Sequence, residues 1–172
     1  EEVLESLVHS RKGLYVDCTF GAGGHSSRIL KELDKEGKLV SMDKDKSATG
    51  LLSKQFTEDS RFKIINDSFS ELSLYVGNET VSGILIDLGI SSTQLDDVER
   101  GFSFQLDGPL DMRMGSKGLT AEELVNNSSE QELADIIWKF GQDRNAKKIA
   151  RAIIRARSIE NISSISDIFQ SI

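Results

Sequence analysis

Leu14-Tyr15-Val16-Asp17-Cys18-Thr19-Phe20-Gly21-Ala22-Gly23-Gly24-His25-Ser26 is an apolar run that passes through a carboxylate into a glycine-rich turn and then into helical spacing. Glycines at such a turn let a ligand approach the backbone, while the first N–H groups of the helix point at it. A dinucleotide fingerprint built on Gly21 and Gly23 needs a third glycine at position 26, where this chain has Ser26. Asp17, opening the turn, suits a cationic or amine-bearing ligand better than a pyrophosphate. An arginine at Gly23 is expected to put its side chain in the ligand's path.

Three further apolar runs read as buried strands: Lys38-Leu39-Val40-Ser41-Met42, Phe62-Lys63-Ile64-Ile65 and Gly83-Ile84-Leu85-Ile86-Asp87-Leu88. Residues 26–33, 47–56 and 68–76 between them carry helical spacing. Strand and helix in alternation imply a parallel sheet covered on both faces, with ligand at the carboxyl ends of the strands. Asp43 closes the second run, twenty residues past Gly23, where a carboxylate accepts both hydroxyls of an adenosine ribose; Asp45 is its rival. Phe69 follows the third run in Asn66-Asp67-Ser68-Phe69, placed either beside an adenine ring or in the core. Asp87 ends the fourth run at the same edge.

Residues 89–118 lose all periodicity and hold Gly89, Gly101, Gly108, Gly115, Gly118 and the one proline, Pro109, which reads as a long functional loop. Its carboxylates Asp96, Asp97, Glu99, Asp107 and Asp111 lack EF-hand spacing and are expected to be solvated or paired with Arg100 and Arg113. From Thr120 onward the pattern is helical. Thr120 with Glu123, and Ser129 with Glu132, form the signatures of capping boxes. The expected division is a core over residues 1–95, the loop over 96–118 and a helical substrate-binding part over 119–172.

Composition bounds the function. The 172 residues carry 21 Lys and Arg against 28 Asp and Glu, so bulk charge does not draw the chain to nucleic acid and any such contact is local. Residues 139–157 hold Lys139, Arg144, Lys147, Lys148, Arg151, Arg155 and Arg157 against Asp143 alone. At 100° per residue, Arg144, Lys147, Lys148, Arg151 and Arg155 share one helix face and Ala146, Ile149, Ile153 and Ala156 the other, which makes a basic stripe for RNA or an ordinary solvated face. No apolar run reaches 18 residues, so no membrane span is expected. Cys18 is the one cysteine, and no Cys/His set has zinc spacing; a reducing compartment and no metal follow.

Asp17-x-Thr19-Phe20-Gly21-x-Gly23-Gly24-His25-Ser26, Asp87-Leu88-Gly89-Ile90-Ser91-Ser92-x-Gln94-Leu95-Asp96, Glu99-Arg100-Gly101-Phe102-Ser103-Phe104, Asp107-Gly108-Pro109-Leu110-Asp111-Met112-Arg113-Met114 and Ala146-Lys147-Lys148-Ile149-Ala150-Arg151-Ala152-Ile153 closely resemble the MraW/RsmH family. The resemblance runs over essentially the whole chain. It departs from the family at Cys18, usually Gly, at Thr93, often Pro, and at Asn145, usually apolar or His. It implies an α/β, Rossmann-like S-adenosylmethionine methyltransferase sheet with an inserted helical domain, acting on N4 of a cytidine in small-subunit ribosomal RNA. It further implies cofactor contacts at Gly23, Gly24, His25, Asp43, Phe69, Asp87 and Gln94, no membrane or metal, and a cytoplasmic location. Members are roughly 300 residues long, so the chain is expected to cover the first four strands and most of the inserted domain. Poor solubility of the 172 residues alone is expected from the strand edge left exposed.

An exocyclic cytosine amine is a weak nucleophile, and an acceptor that draws on its N–H localises the lone pair. Many amino methyltransferases carry Asp/Asn-Pro-Pro-aromatic here; this chain reads Asp87-Leu88-Gly89-Ile90. Asp87 is thus a catalytic candidate or only a cofactor contact, and base holding falls to residues 101–113. Competing readings are a noncatalytic RNA-binding or ribosome-assembly module, a small-molecule methyltransferase, and a nicotinamide enzyme.

Overall fold

The computed structural model describes residues 2–50 and 52–172, Glu2 and Val3 by backbone alone. In chain order the elements are α1 (Glu2–Leu7), β1 (Leu14–Asp17), α2 (Gly24–Glu32), β2 (Lys38–Asp43), α3 (Lys46–Gly50), α4 (Lys54–Thr57), β3 (Phe62–Asn66), α5 (Leu72–Val76) and β4 (Val81–Leu85), followed by α6 (Ser92–Asp96), α7 (Ala121–Asn127), α8 (Glu130–Gly141), α9 (Ala146–Arg157) and α10 (Ile165–Ser171). Two compact units result, one of residues 1–91 with Met114–Ser116, the other of Ser92–Arg113 with residues 117–172.

In the first unit the four strands form one sheet in the order β3-β2-β1-β4, and every pairing is parallel. Tyr15, Val16 and Asp17 are consecutive and fully buried. Because successive side chains point to opposite faces, β1 is covered on both. Coverage thins at β4, where half-buried and exposed positions alternate as far as the buried Leu85 and Ile84 is half exposed. Tyr15, Phe20, Ile29, Leu30, Leu33, Leu39, Phe56 and Leu85 make the core. Phe20, Phe56 and Phe62 stack through it with ring centroids 4.7 to 5.9 Å apart.

Three stretches differ from their reading in the sequence. The fourth strand stops at Leu85 rather than Leu88: the carbonyl of Leu85 accepts the Cys18 N–H at 2.9 Å, and the Asp87 N–H turns instead to the Thr19 hydroxyl. The helical stretch 47–56 divides into α3 and α4, with Leu51 outside the described residues. Residues 68–76 begin as a 3₁₀ turn, Phe69–Glu71, before α5.

In the second unit both capping boxes form: Thr120 and Glu123 at α7, Ser129 and Glu132 at α8. Leu110, Val125, Leu133, Ala134, Ala150, Ile153 and Ile162 form its core. The stretch read as an irregular loop contains α6 and the 3₁₀ turn Val98–Arg100. Its later part is tied down by the main chain. Leu110 N–H donates to Ser163, Glu122 N–H to the Leu110 carbonyl, and Ile165 N–H to the Gly108 carbonyl. Gly101, at φ +65°, lies so close to the Pro109 carbonyl that a Cβ would collide with it. Of the loop carboxylates, Asp111 takes the expected arginine, with Arg113 Nε donating to it at 3.0 Å, whereas Asp107 accepts the main-chain N–H of Ser166 at 3.0 Å instead.

Ala150 is fully buried where α9 packs with Leu133 and Ala134 of α8. Ala150→Leu should cost about 1 to 3 kcal/mol through overpacking, read as a lower denaturation midpoint, whereas Lys147→Leu at an exposed position of the same helix should cost far less.

Candidate functional site

Parallel pairing puts the carboxyl ends of β1, β2 and β4 on one edge of the first unit's sheet, and the turn that follows β1 is bolted there from both sides. Gly21 and Gly23 adopt φ +52° and +79°, left-handed values that a side chain disfavours. The Gly21 N–H donates to Asp43 Oδ2 at 2.8 Å, and Asp43 Oδ1 accepts from Asp45 N–H at 2.8 Å. The Phe20 N–H donates to the Met42 carbonyl at 2.9 Å. Asp43 is only half buried, and a carboxylate has about four acceptor positions. Two are used by these N–H groups, so the group retains capacity for hydroxyl donors.

Asp45 differs from Asp43 in kind. It is buried, and its Oδ1 accepts both the N–H and the hydroxyl of Ser47 at the start of α3. Of the two carboxylates weighed in the sequence, Asp45 therefore closes a turn and Asp43 faces the edge.

Asp17 is placed where the sequence reading did not put it. Its side chain is 0% exposed and meets no ligand path. Oδ1 accepts the Thr19 N–H at 3.1 Å and Oδ2 the Ser26 hydroxyl at 2.6 Å; Ser26 in turn shares a 2.7 Å hydrogen bond with Ser41. This chain of polar groups joins β1, α2 and β2 beneath the glycine turn. Burial pushes the Asp17 carboxyl above its ordinary range, while the Ser26 hydroxyl and the Thr19 N–H pull the other way. Ser41 carried no sequence signal beyond being polar inside an apolar strand. Cys18 beside it is buried, and burial together with Asp17 raises its thiol, so it acts as a small apolar filler.

Gly23 and Gly24 also separate. A Cβ on Gly23 would lie 2.8 Å from ring atoms of Phe20 and Phe56, pointing into the core. The expected obstruction of the ligand's path by a side chain there is thus replaced by a packing conflict. A Cβ on Gly24 would meet nothing within 4 Å. His25 follows on α2, and its Nε2 lies 3.4 Å from Asp87 Oδ2, with Asp87's side chain 68% exposed. The Thr19 hydroxyl accepts the Asp87 N–H at 2.8 Å, so the β1 turn positions the residue after β4. Phe69 stands 42% exposed in the 3₁₀ turn after β3. Nearby, the Tyr75 hydroxyl donates to Asp67 at 2.6 Å and fixes that connection.

Gly23, Gly24, His25, Asp43 and Asp87 thus meet at one edge of one unit, with Phe69 on the segment following the neighbouring strand. Gln94 lies in the other unit, buried on α6. Among the described residues, no group of three or more His, Cys, Asp or Glu is arranged to hold a metal ion, and no helix is long and apolar enough to cross a membrane.

A glycine turn after an inner strand of a parallel sheet, clamped to a partly exposed carboxylate at the end of the next strand, is the edge at which open α/β sheets take their ligands. The MraW methylase family model matches residues 1–172, and the chain belongs to that family. A protein of Koribacter versatilis named ribosomal RNA small subunit methyltransferase H is 43% identical over 98% of this chain and 56% of its own length. One of the same name from Methylobacillus flagellatus is 47% identical over 92% of this chain and 50% of its own. The chain spans about half the length of the curated relatives it matches. An rRNA methylase structure from Streptococcus thermophilus aligns with a TM-score of 0.41 at 26% identity, over 57% of each chain.

The geometry yields two expectations. Gly23→Ala should lower the melting temperature through both the left-handed backbone and the Phe20 and Phe56 rings, whereas Gly24→Ala should leave it unchanged or raised by the stronger helix former. For Asp17 the proton is held more tightly in the folded than in the unfolded chain. The stability this confers is fully present below the unfolded value of about 4 and is lost as pH rises through the folded value. The melting-temperature advantage of Asp17→Asn over the parent should therefore grow from pH 4 towards neutrality; a constant difference would show that the carboxyl titrates normally.

Proposed function

We propose that this chain supplies the cofactor-binding sheet and an RNA-contacting helical part of an S-adenosylmethionine-dependent methyltransferase acting on N4 of a cytidine in small-subunit ribosomal RNA. The observation that carries the reading is the convergence of Gly23, Gly24, His25, Asp43 and Asp87 on the carboxyl edge of a parallel sheet. The names of the relatives agree with it.

S-adenosylmethionine supplies a sulfonium-bound methyl group. The residues fit it in type. Asp43 accepts the ribose hydroxyls with the capacity left by Gly21 and Asp45, and the backbone at Gly23 and Gly24 approaches closely, since Gly24 has open space before it. Phe69 offers an exposed ring for the adenine. His25 lines the edge beside Asp87. Gln94 is assigned by its motif, Ser91-Ser92-x-Gln94-Leu95-Asp96.

Asp87 accepts an N–H of the cytosine amine and so localises its lone pair for attack. Its exposure and its anchoring by Thr19 suit a residue that must meet a substrate. The division into a cofactor core over residues 1–95, a substrate loop over 96–118 and a helical substrate-binding part over 119–172 belongs to the same reading. Lys147, Lys148, Arg151 and Arg155 are exposed along α9 with Arg144 just before it, a cationic stripe suited to phosphates. Arg151 shares its charge with Glu130, 3.4 Å away on α8. With ribosomal RNA as substrate, the protein works in the cytoplasm.

Calorimetric titration with S-adenosylmethionine, with NADH as control, and transfer of a labelled methyl group to small-subunit RNA test the reading. Asp43→Ala should weaken cofactor binding by about 1.5 to 3 kcal/mol, the worth of hydrogen bonds to a charged acceptor. Asp87→Asn should lower methyl transfer by orders of magnitude with cofactor affinity little changed if it holds the amine. A parallel loss of affinity would instead make it a cofactor contact. A parent that binds S-adenosylmethionine and RNA without turnover would favour the ribosome-assembly reading.

A further inference from the structure

Trp138 and Phe140, in the last turn and a half of α8, are 60% and 73% exposed. Large aromatic side chains are ordinarily the ones a helix buries. The neighbouring core of Leu133, Ala134, Ala150 and Ile153 includes neither. Trp138 instead lines an open groove with Asp135, Lys139, Gln142 and Arg144. Positions 135, 138, 139 and 142 recur at spacings of three and four and so share one helix face. Gln142 then takes φ +52°, ending the helix and returning the chain so that Arg144 joins the lining. Lys139 lies 5.2 Å from the ring centre of Phe140, and Lys147 and Lys148 are exposed at the start of the next helix. Asp135, the one acid of the groove, is engaged by the Gln131 amide at 2.8 Å.

The composition of this groove selects its occupant. Apart from the indole, every lining residue is polar or charged, so a hydrophobic protein surface would strand Lys139, Gln142 and Arg144 away from water. A ligand with a π-face and attached negative charge satisfies all of them. We propose that the groove binds a single-stranded RNA segment, one nucleobase stacking on Trp138 and its flanking phosphates meeting Lys139 and Arg144. This inference rests on the reading that the protein acts on RNA, and adds to the α9 stripe a site that grips an unstacked base.

Trp138 is the one tryptophan of the 172 residues. Quenching of its emission on titration with a single-stranded oligoribonucleotide is expected, and reports on the groove directly. By fluorescence anisotropy with a labelled oligoribonucleotide, Trp138→Ala should weaken binding roughly 5- to 150-fold, the range that stacking of one base spans, while Trp138→Phe keeps most of it. Lys139→Glu with Arg144→Glu should weaken binding and reduce the log-log salt slope by about 0.7 for each single-strand phosphate that is no longer neutralised. S-adenosylmethionine affinity and melting temperature should match the parent in all variants. A Trp138→Ala protein that binds RNA like a methylating parent overturns the groove and leaves the proposed function standing. A Trp138→Ala protein altered only in melting temperature or sedimentation also overturns it, since the indole is then covered by protein. A parent that binds RNA through Trp138 yet never methylates it overturns the proposed function and leaves the groove.

Discussion

A buried carboxylate organises the first unit. Asp17 sits at the end of the central strand, fully buried, with its two oxygens held by Thr19 and Ser26 and the network continued to Ser41. A buried charge or carboxyl group is tolerated only when hydrogen-bonded, so the positions of α2 and β2 relative to β1 are set by the need to supply these donors. From that arrangement the glycine turn has little choice. Its outer side is then fixed by the hydrogen bond from Gly21 to Asp43 and its inner side by the contact of Gly23 with Phe20 and Phe56.

That rigidity is what the proposed binding edge needs. A nucleoside held by backbone N–H groups and one carboxylate gains affinity when those groups are in place beforehand, because ordering them on binding would subtract from it. Thr19 extends the same order to Asp87 across two strands, through the hydrogen bond that replaces the continuation of β4. The early end of β4 shapes the proposed site: the chain leaves the sheet at Leu85, and the next acidic side chain turns toward the edge rather than into a strand face.

The second unit meets a different demand. Its helices bury a modest apolar core while leaving Trp138, Phe140 and a row of cations outside. On α8 and α9, Leu133, Ala134, Ala150 and Ile153 lie in the core, while Trp138, Lys139, Lys147, Lys148, Arg151 and Arg155 stay exposed. Where a basic residue does serve the fold it is visible as such, as in Arg157, which donates to the Val125 carbonyl at 2.7 Å.

Much of this was legible in the chain. Short apolar runs, glycines at the first turn and Thr120 and Ser129 three residues before glutamates specify strands, turn and helix starts by local physics alone, and the four strands, both capping boxes and the outward α9 cations are found where those signals lie. The convergence of Asp43 and Asp87 was also readable, since strand ends in a parallel sheet share an edge. What the sequence left open required partners distant along the chain. Asp17 and Asp43 are both strand-end aspartates, and only the packing of Ser26 and Ser41 buries one while the Gly21 amide reaches the other. The same holds for Gly23 against Gly24, identical neighbours distinguished by Phe56 more than thirty residues away. The tie of residues 108–111 to Ser163 and Ile165, and the exposure of Trp138, likewise depend on which surfaces meet after folding. Periodicity and motif spacing carry no information on that, because both are properties of one segment at a time.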